Sequence, residues 1–302
     1  DGSVTIRQED GSAVTFNVSG STYPPAAPRY DATLVKSGTS YLFTRHATDQ
    51  FTFDTATGRL TAISDPAGRA ATPSYATALG YDTSGNLHTV TDPGGRVYTF
   101  TWTGTHITKV ITAAGQEVDY VYSAAGDLTD VYGVGTTRTG GVNGDQDHTQ
   151  YQYNSKHLMT SERTPANYGK TSTPTPVTGM LYDASDRVTT QTDPVGNVTK
   201  FTYGPDSTTG ITAGQTLVTD PVGHKNLYTY QNGLLTSMTK GWGAAGASTW
   251  SYAYDPITLG VAVQTNPDGT TQTYAYDDHG RKISSSDGLG RTTSYQYNAA
   301  GN

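Results

Sequence analysis

The stretch that decides the fold is Tyr81-Asp82-Thr83-Ser84-Gly85-Asn86-Leu87-His88-Thr89-Val90-Thr91-Asp92-Pro93-Gly94-Gly95-Arg96-Val97-Tyr98-Thr99-Phe100-Thr101-Trp102. It carries two turn signals about ten residues apart. In the first, Asp82 caps a turn with its carboxylate and Gly85 supplies the left-handed backbone position. In the second, Asp92, Pro93 and Gly95 occupy the first, second and fourth places of a type I turn. Between them Leu87-His88-Thr89-Val90-Thr91 alternates, and Tyr98 and Phe100 fall on one face of a strand. Two turns per unit predict two strands of roughly seven residues, each roughly 23 Å long.

The same unit recurs with a period of about 21 residues. Aromatic pairs one residue apart mark the copies: Phe51/Phe53, Tyr98/Phe100, Tyr120/Tyr122, Tyr151/Tyr153, Phe201/Tyr203, Tyr228/Tyr230, Tyr252/Tyr254, Tyr274/Tyr276 and Tyr295/Tyr297. The first turn returns as Gly126-Asp127-Leu128 after Tyr122 and as Gly280-Arg281 after Tyr276-Asp277. The second returns at Asp65-Pro66-Ala67-Gly68, Asp193-Pro194-Val195-Gly196 and Asp220-Pro221-Val222-Gly223, with variants at Asn266-Pro267-Asp268-Gly269 and Asp287-Gly288-Leu289-Gly290. Three positions depart from the pattern: Asp186 replaces the turn glycine, Lys282 the following Leu, and Pro256 interrupts the turn after Tyr254-Asp255. Successive antiparallel hairpins of equal length build a meander, and strand twist makes it coil.

Composition agrees. Tyr numbers 22 and Gly 35, and Glu appears only at Glu9, Glu117 and Glu162, so turn and strand residues displace helix formers. Hydrophobic residues make up 34%, low for a thick core and suited to a thin wall. Cysteine is absent, so no disulfide or thiolate site exists. A net charge of -7 argues against a nucleic-acid partner, which needs a basic face. No run approaches the roughly 20 apolar residues of a membrane-spanning helix, and Asp1-Gly2-Ser3 carries no signal-peptide pattern.

The pattern Tyr-Asp-x-x-Gly-x-Leu, then Asp-Pro-x-Gly, then Tyr-x-Tyr resembles the YD repeat of the Rhs family over roughly residues 50–302. The resemblance implies an all-β architecture: antiparallel hairpins coiled into a β-spiral, an open or partial barrel-like shell. Residues 1–50 read as opening hairpins continuous with the sheet, Ile6 to Phe16 around Asp10-Gly11 and Tyr41 to Phe53 around Asp49. Residues 51–302 are the repeat shell, stopping within the last repeat, and the whole is one structural unit. Family members include polymorphic-toxin shells, toxin-complex cocoons and teneurin barrels. The implied function is a structural segment of a larger secreted or surface bacterial protein that encapsulates a C-terminal toxin or other cargo. The rival is cell-surface adhesion or glycan binding. Expected partners are the rest of the same polypeptide, its cargo, a glycan or cell-surface molecule, and a second copy joined through an open sheet edge near residues 276–302. The family's self-cleaving core motif is not found, so no catalytic residue is carried over and no enzyme is expected.

Four segments break the period: Gly133 to Gln150, Thr164 to Gly179, Gly204 to Thr216 and Gly241 to Thr249. Rich in Gly, Thr, Ser or Pro, they read as loops, where binding usually sits. Trp242, flanked by Gly241 and Gly243, is the best single contact residue. Asn143-Gly144-Asp145-Gln146-Asp147 opens like a calcium loop, but His148 stands in place of the later Gly and Asn154 in place of the bidentate Glu. Gly133-Val134-Gly135 lacks the third glycine of a phosphate loop. His46, His88, His106, His148, His157, His224 and His279 show no metal-ligand spacing. No metal or cofactor is expected, and turn aspartates bound by backbone N–H groups are expected to stay ionised.

Overall fold

The computed structural model describes residues 2–26, 32–45, 48–134, 147–167, 176–278 and 280–298. Within them the chain is all-β apart from one helical turn, Pro66–Ala70. From Ala32–Ser37 to Thr292–Ser294, 23 strands each pair antiparallel with their sequence neighbours in one sheet. Their order can be written as a ring that returns from the last strand to Ala32–Ser37. Among the described residues no register joins those two strands, and the sheet is open. The β-spiral expectation therefore holds. Strands such as Leu87–Thr91 and Val97–Thr103 are five and seven residues long, because the turns consume more of each period than expected.

Both turn signals produce one geometry. In Asp82-x-x-Gly85-Asn86 the N–H of the first residue donates to the carbonyl of the fifth, and Gly85 N–H donates back to Asp82. Asp92, Thr112, Ser123, Asn154, Asp183, Asp193, Asp220, Asn266, Asp277 and Asp287 head turns with the same two bonds. This is a three-residue hairpin loop: a type I turn followed by a left-handed residue. Gly85, Gly126 and Gly280 have φ of 86°, 90° and 77°, as the sequence required. Asp186 adopts φ 63° in place of glycine, with its carboxylate 2.7 Å from Lys156 Nζ.

Two expected turns differ. Asp65 to Gly68 starts the short helix, with Asp65 as its N-cap accepting the Gly68 N–H at 2.6 Å. The backbone and ring of Tyr75 lie against Gly68, where a Cβ would come within 2.6 Å of the Tyr75 carbonyl oxygen. After Asp255 the loop is one residue longer: Leu259 N–H donates to Asp255, whose own N–H donates to Gly260. Thr258 donates to the Asp255 carboxylate through its backbone N–H at 2.7 Å and its hydroxyl at 3.0 Å. Leu259 is left at φ 56° with 57% of its surface exposed. Leu259→Gly removes that strain with little packing loss, and is expected to raise stability by about 0.5–1 kcal/mol in urea unfolding. A destabilised variant would show that the Leu side chain holds the turn.

The aromatic pairs do more than stack. Most of these hairpins carry a register shift at the second aromatic, as between Gly80 and Tyr81 and between Ala275 and Tyr276, whereas Tyr203 pairs with Thr216 in unbroken register. The residue facing that aromatic sits at a bulge, where ladder bonding is interrupted. The next copy caps its carbonyl. Tyr81 Oη donates to Leu60 at 2.7 Å, Tyr203 to Val188 at 2.7 Å, Tyr276 to Val261 at 2.8 Å and Tyr297 to Lys282 at 2.7 Å. Tyr122, Tyr182 and Tyr254 repeat the bond, and Trp102 makes it with its indole N–H to Leu87 at 2.7 Å. A polar tip on a half-buried ring explains why Tyr outnumbers Phe 22 to 6. Arg187 and Arg281 add guanidinium groups 4.3 Å and 4.8 Å from the Tyr203 and Tyr297 ring centroids. Tyr203→Phe leaves the Val188 carbonyl unbonded and is expected to cost about 1–3 kcal/mol in denaturant unfolding. No measurable loss would mean that water reaches that carbonyl freely.

The fully buried apolar residues concentrate at the N-terminal end. Val4–Arg7 and Ala13–Phe16 form a two-stranded sheet of their own, linked to Ala32–Ser37 through the Phe16–Pro25 and Tyr23–Leu34 bridges. It packs Ile6, Val14 and Phe16 onto Ala32, Leu34 and Phe43. Asp10-Gly11 turns as expected, and the 41–53 hairpin is present, with Arg45 paired to Asp49.

Candidate functional site: the two faces of the wall

Directly opposed residues in an antiparallel pair share a face. One face collects apolar groups through Leu79–Val90–Tyr98, Phe201–Val218 and Tyr228–Met238–Trp250. The other runs Ser237–Ser251–Thr265–Thr271 and Thr273–Ser286–Thr292, a carpet of hydroxyls. Strand Ser248–Tyr254 shows the division, with Trp250, Tyr252 and Tyr254 half-buried and Thr249, Ser251 and Ala253 exposed. Along these strands the wall is thus two-sided, aromatic on one surface and small and polar on the other, while Leu217–Leu227 and Tyr132–His148 place larger side chains on the second face.

At the rim, the turn aspartates are committed to structure. Asp183 Oδ1 accepts the backbone N–H groups of Ser185 and Arg187 at 2.8 Å and 3.0 Å, while Oδ2 takes the Arg187 guanidinium. Asp92 and Asp287 repeat the arrangement with Arg96 and Arg291. Backbone donation from Arg187 and from Arg96 holds Asp183 and Asp92 below the ordinary carboxylate range, and the Arg291 side chain does the same for Asp287. A carboxyl whose pKa is depressed on folding contributes stability above its unfolded pKa, and this is lost as pH falls through the folded value. The melting temperature should therefore hold from neutral pH down to the ordinary carboxylate range and fall below it. A melting temperature flat into strong acid would show that these turns contribute nothing.

One polar cluster has no counterpart in the sequence reading. Tyr132 stacks on His148 at 4.3 Å, and His148 Nε2 lies 2.8 Å from Asp130 Oδ1. His148 is 1% exposed. Asp130 and Tyr132 lie on the strand before the insert that follows Tyr132 and His148 on the strand after it, and at the mouth of the insert Gly133 N–H donates to the Asp147 carbonyl at 2.7 Å. The pairing depends on where the chain returns after the insert, which no local signal encodes. Nearby on the same face, Lys109 bridges Glu117 and Asp119.

Asn143 to Gln146 and Gly135 of the loop motifs, together with His46 and His279, lie outside the described residues. Among the described residues no three His, Asp or Glu side chains group as metal ligands, and no helix is long and apolar enough to cross a membrane. Trp242 sits inside a turn that Ala244 N–H closes onto the Gly241 carbonyl, with the Trp242 backbone N–H donating to the Lys225 carbonyl at 2.8 Å and Lys225 Nζ 5.9 Å from its ring centroid. Its ring is half-buried, between Gly241 and Gly243 at φ 66° and 83°. The Gly204 to Thr216 insert is an ordered excursion: Asp206 and Ile211 bridge, and Ile211 is 3% exposed.

Comparison with known proteins agrees with the repeat reading. The sequence model of the RHS Repeat family matches residues 81–117 and 182–206. No curated protein matches the chain. Among solved structures, TcdB2-TccC3 is similar at 14% identity and a TM-score of 0.45, over 99% of this chain and 18% of that one. The Photorhabdus luminescens Tc holotoxin pore is similar at 15% identity and a TM-score of 0.44, over 99% and 19%. A porin-like protein from Bacteroides uniformis reaches a TM-score of only 0.18 at 12% identity, over 88% and 93%. The chain thus spans about a fifth of the length of the first two.

Proposed function

The chain belongs to the RHS or YD-repeat family, and from that premise we propose that it is a wall segment of a hollow shell that sequesters another part of its own polypeptide. The observation that carries this reading is the unbroken 23-strand sheet, one layer thick over most of its length, with chemically distinct faces. Such a sheet gains little from a core of its own and presents surface on both sides, as an enclosing wall must. The enclosed partner is a C-terminal toxin or other cargo, and the whole protein is secreted or displayed on a bacterial surface. Limited proteolysis of the full-length protein tests this. The polypeptide outside the repeats should be cut far more slowly when attached than when produced alone. Equal cleavage rates would remove the encapsulation reading.

Adhesion is the second reading, and the half-exposed Trp242 ring on its glycine-flanked turn supports it. Loss of cell or glycan binding in Trp242→Ala, with protease shielding intact, would favour it.

A further inference from the structure

The first hairpin leaves one edge open above an apolar cavity. Gln8 N–H donates to the Ser12 carbonyl, and Ala26 N–H donates to Thr15 from the far side of the hairpin. In an antiparallel pair, hydrogen-bonded and non-bonded positions alternate. With Gln8 opposite Ser12 as a bonded position, Ile6–Val14 and Val4–Phe16 are bonded, while Arg7–Ala13 and Thr5–Thr15 are not. Thr5 and Arg7 therefore turn their N–H and C=O groups away from the hairpin, to a side where the small sheet has no further strand among the described residues. Both residues are exposed.

Beside that edge lies a cavity of about 500 Å³. Ile6, Phe43, Phe51, Phe53, Leu60 and Ile63 line it, with Arg45 held at its rim by Glu9 at 2.8 Å. This is the same apolar surface that Ile6, Val14 and Phe16 already cover at Leu34 and Phe43, continued past the margin of the hairpin.

We propose that the edge Val4–Arg7 and this cavity together form a strand-addition site for an extended peptide segment with large apolar side chains at alternate positions. The unpaired main-chain groups of Thr5 and Arg7 supply the ladder bonds, and the cavity takes the inward side chain, the division of labour in β-augmentation. The existing hairpin supplies the precedent, since its own strands meet the wall through alternate apolar residues, with burial patterns that put Ile6, Val14 and Phe16 inward. The site does not depend on what the shell encloses.

The probe is a fluorescein-labelled eight-residue peptide alternating Leu and Thr, with a central Phe and Lys at each end. The control has the same composition with its apolar residues contiguous. Fluorescence anisotropy should saturate with the alternating peptide on the whole chain and be at least tenfold weaker with the control. Thr5→Pro and Arg7→Pro each delete one outward N–H without touching a hairpin bond, and each should weaken binding at least tenfold. Leu60→Gln should do so from the cavity side. Circular dichroism and melting select the variants that keep the wild-type fold, and any one of the three that does so decides the matter. Undiminished binding in a folded variant overturns the proposal. So does a wild-type chain that is a dimer, turns monomeric in Thr5→Pro and binds no peptide, because the occupant is then a second copy.

Discussion

Phe43→Ala is expected to destabilise the N-terminal region by about 3–5 kcal/mol, the range for emptying a buried aromatic position. Phe43 is 2% exposed and meets Phe16 edge-on at 5.9 Å and Phe51 at 5.8 Å. With Ala32 and Leu34 it forms the surface on which the first hairpin packs, so its loss removes much of the hydrophobic contact that docks the hairpin. The repeats beyond are joined only through neighbouring strands, and stability in such arrays is a sum of local and nearest-neighbour contributions. The loss should therefore appear as early hydrogen exchange at residues 4–16, with amides in Thr271–Tyr276 still protected. Val35→Ala is the control, because Val35 is 53% exposed on the same pair of strands and should change stability by less than roughly 0.5 kcal/mol. Uniform loss of protection along the chain would show that the sheet unfolds as one unit.

Gly204→Ala is expected to be of similar severity for a different reason, roughly 3 kcal/mol or more, at or above the usual cost of overpacking. A Cβ at Gly204 would fall 1.8 Å from the Thr212 carbonyl oxygen and 2.6 Å from its carbon. These are backbone atoms and cannot rotate away. They are held by the Gly204 N–H bond to Gln215 at 2.8 Å and by the Asp206–Ile211 bridge. Gly196→Ala separates this from ordinary backbone strain. Gly196 has φ 94° and no atom within 4 Å of its would-be Cβ, so it should lose only about 1 kcal/mol. Urea unfolding of the two variants side by side measures the difference. Equal losses would mean that the insert yields as a flexible loop.

The amino-acid sequence alone determined the repeat, and with it the strands, the turns and the antiparallel order. Those features are written in contacts a few residues apart: Asp to its own turn amides, Gly at the left-handed position, aromatics on alternate residues. Even the departures at Asp186 and Pro256 were visible as departures, though their resolution was not. Asp186 takes the left-handed backbone regardless, and the loop after Asp255 gains one residue. Only the tertiary structure decided the rest. It showed that the second aromatic of most copies caps a bulge carbonyl 15 to 23 residues upstream. It folded the first hairpin as a two-stranded sheet over Phe43. It also joined Asp130, Tyr132 and His148 across an insert. These pairings depend on register and on where the chain returns, and both are settled by the packing of whole hairpins against one another rather than by any local run of residues.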